Sequence, residues 1–393
     1  MRKIYYYVQL KTLSPLNISN GNSNHTDMDV LKDEEGCFYI PGTSIAGACY
    51  HDLDDNSKLL FNPLLKDQNI MSPIFFSDAY MVDSEKVNYE VRDGIQVNHK
   101  KVSVDGSKFN YEIVPMNTKF VLRIEVTDYN DDFKYEEMVE KLLAHIKNQD
   151  IKLGAKTTRG LGAISIEKCG KKVFDKNNFA TEYFEFDCEN ENQYEELHIE
   201  NIASEKYVVV RADLQQVGGI SIRSYNTIKN EADYSHICSN GNPVIPASSW
   251  NGLIRHAFNK YANMFEMPFL TDEVFGKVNG EEKQKSKLFV EESVLTNGFE
   301  METFRNSINR FHAKTMNTGL FREKSYYDGK TTLIIRIDKK VKHLDLVVKI
   351  LEAILADIND GALALGGLTS IGRGIFTVSN VKITGMEDSH DER

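Results

Sequence analysis

"FYIPGTSIAG" occupies residues 38–47 and "PVIPASSWNG" residues 243–252. Each reads Ile-Pro, a small residue, a hydroxyl residue, Ser, two further residues and Gly. One such turn into a helix is commonplace. Two of them in one chain raise the question of whether their neighbours repeat in the same order, because an internal repeat fixes the architecture before any single element does.

The neighbours do repeat. Each half opens on a β-rich run, "KIYYYVQL" at 3–10 and "KYVVVRADL" at 206–214, followed by a turn, a polar loop with acidic residues and the Ile-Pro stretch. A helix is predicted next, with Thr43/Ser44 and Ser248/Ser249 as its N-caps. Phenylalanine-bearing strands follow ("SPIFFSDAYMV", 72–82; "SKLFVEESVL", 286–295), then arginine-led insertions at 92–120 and 305–325, then the strands "TKFVLRIEV" and "KTTLIIRID". A long amphipathic helix comes next, with Val139, Leu142, Leu143 and Ile146 on one face in the first half and Leu344, Val347, Leu351 and Ile354 in the second. Each half closes on a glycine loop running into a strand, "LGAKTTRGLGAISI" and "LGGLTSIGRGIFTV", where Gly154, Gly160 and Gly162 match Gly366, Gly372 and Gly374. The order strand, helix, strand, insertion, strand, helix, strand predicts an α+β chain of two tandem ferredoxin-like (RRM-like) βαββαβ modules. Each carries a β-hairpin insertion and a C-terminal glycine-rich loop, and its sheet has one face free for a ligand. The expected boundaries are 1–169 and 206–385, with an acidic linker at 170–205 running over the surface and an acidic tail at 386–393.

A length of 393 residues suits two modules, and 41% hydrophobic residues suffice for packed cores. The five cysteines show neither CxxC spacing nor a disulfide framework, and no apolar run reaches membrane-spanning length. These features point to reduced thiols, a cytoplasmic protein and no membrane partner. The net charge of −11 argues against a polynucleotide ligand, but it is concentrated: residues 171–205 hold ten acidic and three basic residues, and the tail is also acidic. The remainder is close to neutral. A phosphate-binding loop for ATP needs Gly-Lys-Ser/Thr opening a helix, and here strands follow the glycine loops, so nucleotide hydrolysis is disfavoured.

The Ile-Pro turn, the arginine-led insertion and the terminal glycine loop, in order and twice, resemble the RAMP superfamily, whose members form the backbone of type III CRISPR effector complexes. The resemblance covers both halves and is greatest to a fusion of two backbone-type subunits. It implies a protein that holds CRISPR guide RNA and complementary single-stranded target RNA beside other subunits of the complex, and an endoribonuclease that cuts the target through an acidic residue in the loop before the Ile-Pro turn. By register Asp27 and Asp233 match that acid, with Asp29 two residues on. Either Asp could hold Mg²⁺ or orient the 2′-OH. One rival is a catalytically silent guide-RNA scaffold; another is a metal-independent ribonuclease that processes the guide precursor through His25.

Backbone N–H groups at a helix N-terminus make an anion site, so Ser44, Gly47, Ser249 and Asn251 are candidates for contact with the guide backbone. Lys156, Arg159 and Arg373 in the glycine loops would add counter-charge. The resemblance makes the insertions hairpin thumbs that wedge into the guide–target duplex, with Arg92, His99, Arg305, Arg310 and Phe321 meeting bases or phosphates, and Phe109 as a further ring. The family pattern there commonly reads Ile-Asp-Arg. This chain has Val97-Asn98-His99 and Ile308-Asn309-Arg310, without the acid in either half.

Overall fold

A computed structural model describes the chain apart from residues 20, 22–24, 62–70, 83–88, 96–103, 130–132, 201–203, 226–230, 280–281, 317–318 and 387–393. The chain divides into two units: the first comprises Met1–Thr157 and Leu161–Glu205, the second Thr158–Gly160 and Lys206–Arg393.

In the first unit the elements are β1 (Arg2–Thr12), α1 (Gly42–Asp52), β2 (Ile74–Phe76), β3 (Glu90–Gly94), β4 (Phe109–Ile113), β5 (Lys119–Asp128), α2 (Lys134–Lys147) and β6 (Ile164–Phe174). The second unit contains β7 (Tyr207–Val217), β8 (Tyr234–His236), α3 (Ala247–Met264), β9 (Leu288–Val290), β10 (Phe299–Arg305), β11 (Phe321–Tyr327), β12 (Lys330–Asp338), α4 (Leu344–Asn359) and β13 (Ile375–Thr384).

The two main sheets are built in the same order. In the first, β1 lies between β5 and β6, and β2 pairs with β5. In the second, β7 lies between β12 and β13, and β9 pairs with β12. All of these pairs are antiparallel, so the chain is α+β. Strand alternation explains which side is packed: Ile4, Tyr6, Val8 and Leu10 are all 0% exposed, facing the core with α1 and α2. Val208, Val210, Ala212 and Leu214 do the same for a separate core in the second unit. On α2 the predicted stripe Val139, Leu142, Leu143, Ile146 is buried throughout. On α4, Val347, Leu351 and Ile354 are buried while Leu344 lies at the rim.

Two expectations are corrected. The N-caps of α1 and α3 are Pro41 and Pro246, not the hydroxyl residues, which lie inside the first turn. Proline's ring holds φ at −56° and −57°, and with ψ at 135° and 140° the chain arrives extended and turns directly into the helix. The amide that follows Pro41 is satisfied from outside, Gly42 N–H donating to Asp78 Oδ1 at 2.7 Å. Secondly, residues 170–196 do more than connect the halves. β6 runs on to Phe174, and Glu195–Glu196 pair with Gly170–Lys171 as a further strand. Between them Phe174, Tyr183, Phe186 and Tyr194 pack with Tyr5 and Tyr7. Aromatic burial outweighs the charge here, because the acidic side chains point away or meet cations of the sheet.

The glycine loops have matching backbones. φ is +79° and +85° at Gly154 and Gly366, +83° and +82° at Gly160 and Gly372, and +79° and +73° at Gly162 and Gly374. The last pair also has no room: an added Cβ would lie 1.9 Å from Leu153 O and 1.8 Å from Leu365 O.

Candidate RNA interface

The insertion in each unit contains an antiparallel hairpin, which stands alone as two strands in the first unit and belongs to a five-stranded sheet in the second. β3 pairs with β4, placing Arg92 opposite Tyr111 and Gly94 opposite Phe109. β10 pairs with β11, placing Arg305 opposite Phe321. Ile308–Asn309 and Lys314–Thr315 pair again toward the tip of the second hairpin.

Beside the returning strand of each hairpin, near where the paired ladder ends toward the loop, stands the predicted acid. Asp27 is exposed; its Oδ2 accepts the Asn110 N–H of β4 at 2.8 Å, and its own N–H donates to Asn110 Oδ1 at 3.0 Å. Asp233 is exposed as well, its Oδ2 accepting the Arg322 N–H of β11 at 2.8 Å. The two acids thus make the same contact, carboxylate to the backbone of the returning hairpin strand. Asp29 does something different. It accepts the Thr26 N–H and hydroxyl at 2.8 Å each and the His25 N–H at 3.1 Å, closing its own loop.

Around Asp233 the second unit gathers arginines. Glu323, 0% exposed, accepts the Ser221 hydroxyl and faces Arg223 Nε at 3.7 Å and Arg305 Nε at 3.6 Å. Arg322 pairs with Glu302 at 2.5 Å, and the Arg223 guanidinium lies over the Tyr234 ring at 4.7 Å. A carboxylate shared between two guanidinium groups leaves one positive charge beside Asp233, the sign a phosphodiester requires. Phe321 is half-buried, edge-on to Tyr234. Beyond it Phe304, Ile308, Phe311 and Leu320 are 67%, 63%, 95% and 66% exposed, and Arg310 is exposed in the tip. Such a row of uncovered apolar side chains with cations is costly in water and suits stacking on bases.

Around Asp27 the first unit gathers rings instead. Lys156, at φ +57°, holds its ammonium 3.9 Å from the Tyr111 ring centroid and 5.1 Å from that of Phe109. Glu112, also 0% exposed, accepts the Val30 N–H at 3.1 Å and faces Lys32 at 3.4 Å.

Other predicted site residues land elsewhere. Arg373 is 6% exposed with its guanidinium 4.8 Å from the Tyr327 ring centroid, and Arg92 is 5% exposed, 3.8 Å from Glu90. Neither presents its charge at the surface: strand register turns Arg92 inward, and the glycine loop lays Arg373 against the Tyr327 ring. Arg159 is exposed in the turn Thr157–Arg159. Ser44 and Gly47 lie on α1, Ser249 and Asn251 on α3; the Asn251 amide donates to Thr158 O at 3.4 Å within the second unit. Ser44 and Gly47 have no hydrogen bond or ion pair to Asp27 among the described residues, and on α1 the Gly42 amide already holds the Asp78 carboxylate. His99 lies outside the described residues. The sequence reading missed Arg223, Glu323 and Arg322; the run "FREKSYY" reads as an exposed charged strand, and only its pairing shows which charge turns inward.

No group of three or more His, Cys, Asp or Glu side chains able to hold a metal ion occurs among the described residues. An acid–histidine pair, Asp52 at the end of α1 with His145 of α2, joins the two helices. The neighbouring Cys49 is 0% exposed, and burial, reinforced by Asp52, pushes its thiol up to about 12, which leaves no thiolate for nucleophilic work.

His236 links this region to pH. Burial lowers its imidazole to about 4, and Nδ1 accepts the Ile222 N–H at 3.3 Å. A folded-state value below the unfolded 6.5 means the neutral form is preferred in the native protein, so stability is full above 6.5 and is lost as pH falls toward 4. The expected loss is up to about 3 kcal/mol. Urea midpoints of the second unit measured from pH 7 to 4 should fall, and the fall should shrink in His236→Gln.

A family model described as the RAMP superfamily matches residues 9–165 and 238–377. No curated protein matches the chain. Among solved structures, a chain of "Cryo-EM structure of the Type III-B Cmr-beta bound to cognate target RNA" is similar at 15% identity and a TM-score of 0.35, the match covering 45% of this chain and 61% of that one.

Proposed function

Because the chain belongs to the RAMP superfamily, we propose that it is an RNA-holding subunit of a type III CRISPR interference complex, built from two ferredoxin-like modules that each present one carboxylate to a target strand. The strand order, with β1 between β5 and β6 and β7 between β12 and β13, supports the ferredoxin-like reading. One observation carries the functional reading: Asp27 and Asp233, exposed, make the same bond to the returning strand of equivalent hairpins. An acid fixed to the returning hairpin strand by one oxygen keeps the other for a ligand. The partners would be guide RNA, target RNA and neighbouring subunits, and the place of work the cytoplasm.

In this reading the second hairpin supplies most of the grip. Phe304, Phe311 and Leu320 stack on bases while Arg223, Arg305 and Arg310 meet phosphates. Where Mg²⁺ takes part, it would be held chiefly by RNA phosphate and water with the free oxygen of Asp27 or Asp233 as one ligand, supplying charge stabilisation at the scissile phosphate. The Asp carboxylates would orient the 2′-OH, and Arg223 and Arg305 would neutralise the phosphate. The scaffold reading is favoured by the lack of an acidic cluster among the described residues; it shares the grip and omits the cut.

Binding is tested by Arg305→Gln with Arg310→Gln. Affinity for a guide-paired RNA should drop about tenfold for all sequences alike, with the slope of log K against log salt shallower by about 1.4. Unchanged affinity and slope would remove the second hairpin from the interface.

A further inference from the structure

The side of the first unit's sheet that faces away from α1 and α2 has a composition that the Asp27 site does not use. Along β1 it shows Lys3, Tyr5, Tyr7, Gln9 and Lys11; beside them stand Lys119, Arg123 and Glu125 of β5, and Lys168, Lys172 and Phe174 of β6. Part of this charge is settled within the sheet: Lys3 pairs with Glu125 at 2.6 Å, and Lys11 and Lys119 share Glu167 at 3.5 and 2.7 Å. Three cations remain, Arg123, Lys168 and Lys172.

Each of the three is met by a glutamate of one segment, residues 175–197, which carries eight acidic residues and one lysine. Glu189 pairs with Arg123, whose Nε also donates to Cys188 O at 2.9 Å. Glu182 lies 2.7 Å from Lys172, and Glu191 lies 3.9 Å from Lys168. Rings of the same segment cover the two tyrosines: Phe186 is 5.1 Å from Tyr5 and Tyr194 5.6 Å from Tyr7, centroid to centroid. Anions on the cations and rings on the rings is the pattern that a single strand of nucleic acid would make on a sheet, phosphates on Lys and Arg and bases on aromatic faces. The corresponding side of the second sheet carries fewer rings, Tyr207 edge-on to Phe289 at the start of β7, beside the cations Arg211, Arg336 of β12 and Lys382 of β13. Val209, Arg211, Asp213 and Gln215 stand between the core residues of β7, no aromatic among them, and Arg211 is exposed.

We propose that the Tyr5–Tyr7 sheet face is a second binding site, for a short stretch of single-stranded polynucleotide, and that residues 175–197 are its built-in competitor. The strap imitates the ligand and holds the face closed until a strand displaces it. Its contacts suit that task. The three ion pairs join partly or fully exposed side chains, which are individually weak and weaken further with salt, and Phe184 in the middle of the strap is 82% exposed. The site is distinct from the hairpin interface, and its test is separate.

The experiment uses the full chain and a labelled mixed-sequence 12-nucleotide RNA, with DNA of the same sequence in parallel. Glu182→Gln, Glu189→Gln and Glu191→Gln together remove the competing charge without changing shape. Binding should tighten about tenfold at low salt, with the slope against log salt steeper by about 2 from three freed cations. Adding Arg123→Gln, Lys168→Gln and Lys172→Gln should cancel the gain. Arg305→Gln with Arg310→Gln should lower total binding and leave the gain in place, which separates this site from the hairpins. Equal gains for RNA and DNA would mean phosphates and bases suffice; a larger gain for RNA would add a 2′-OH contact, and either agrees with the proposal. No gain, or a gain that survives removal of the three cations and so reflects net charge alone, overturns it. A second measurement does not depend on the variants: saturating RNA should speed proteolysis within 176–193 of the wild-type chain, and protection or an unchanged rate there contradicts displacement.

Discussion

Gly374→Ala is expected to lower the unfolding free energy of the second unit by about 4 kcal/mol or more, and Gly162→Ala to do the same in the first. Two costs add. At φ +73° and +79° an L side chain is strained by about 1–2 kcal/mol. Beyond that, the new Cβ meets a backbone carbonyl, Leu365 O at 1.8 Å or Leu153 O at 1.9 Å, and a carbonyl in a hydrogen-bonded loop cannot swing aside as a side chain end would. Leu365 N–H donates to Gly374 O at 2.9 Å and Leu153 N–H to Gly162 O at 2.9 Å, so moving either pair apart also breaks the loop's own bond. Gly372 is the control. Its φ is +82°, but nothing lies within 4 Å of an added Cβ, so Gly372→Ala should cost only the strain, about 1–2 kcal/mol. Urea midpoints of the three variants check the order. Equal losses at Gly372 and Gly374 would mean that the close approach plays no part.

The contrast between those glycines shows what a sequence can and cannot reveal. The spacing Gly154, Gly160, Gly162 against Gly366, Gly372, Gly374 marks the loops, and the matched φ values follow from it. Spacing alone does not say which glycine is pressed against a carbonyl. The alternation in β1 and β7 and the stripe on α2 were legible because one buried face imposes a period. The strap was not. In 175–197 the rings Tyr183, Phe186 and Tyr194 follow no period and are outnumbered by acidic residues, so composition reads as a solvated connector. The partners that hold it, Tyr5, Tyr7 and Arg123, lie far away in the chain. Arg92 and Arg373 are buried for a related reason: a basic residue in a hairpin or loop suggests a phosphate contact, whereas strand register at Arg92 and the packing of the loop on Tyr327 at Arg373 decide whether the charge reaches the surface. Asp27 and Asp233 were singled out by register with the pattern of the resembling family, and what the structure adds is that both carboxylates bond the returning strand of their hairpin.

Asp233→Asn is expected to reduce cleavage at one position of a guide-paired target by about 10²–10⁴-fold, and Asp27→Asn to do the same at another position. The substitution isolates charge. An asparagine carbonyl can still accept the Arg322 or Asn110 N–H, so the contact with the hairpin keeps its shape, while the carboxylate that would orient a 2′-OH or share a Mg²⁺ is gone. Guide binding should therefore be unchanged in both variants. Asp233→Ala adds the loss of the hairpin contact, about 1 kcal/mol, and should loosen the hairpin as well; a cleavage defect in Ala without one in Asn would assign the residue a purely structural role. Asp29→Asn serves as a comparison. Its oxygens are spent on Thr26 and His25, so it should leave the chemistry intact and alter only the loop.

The most direct measurement is a map of cut positions on a labelled, guide-paired target RNA, made with the assembled complex carrying the wild-type chain, Asp27→Asn, Asp233→Asn or both. Two cuts in the wild type, one lost with each single substitution and none left in the double variant, with guide RNA retained throughout, is the predicted result. Cutting at the wild-type rate and positions by the double variant would contradict it, and the chain would then be a scaffold whose two acids do no more than fasten hairpins.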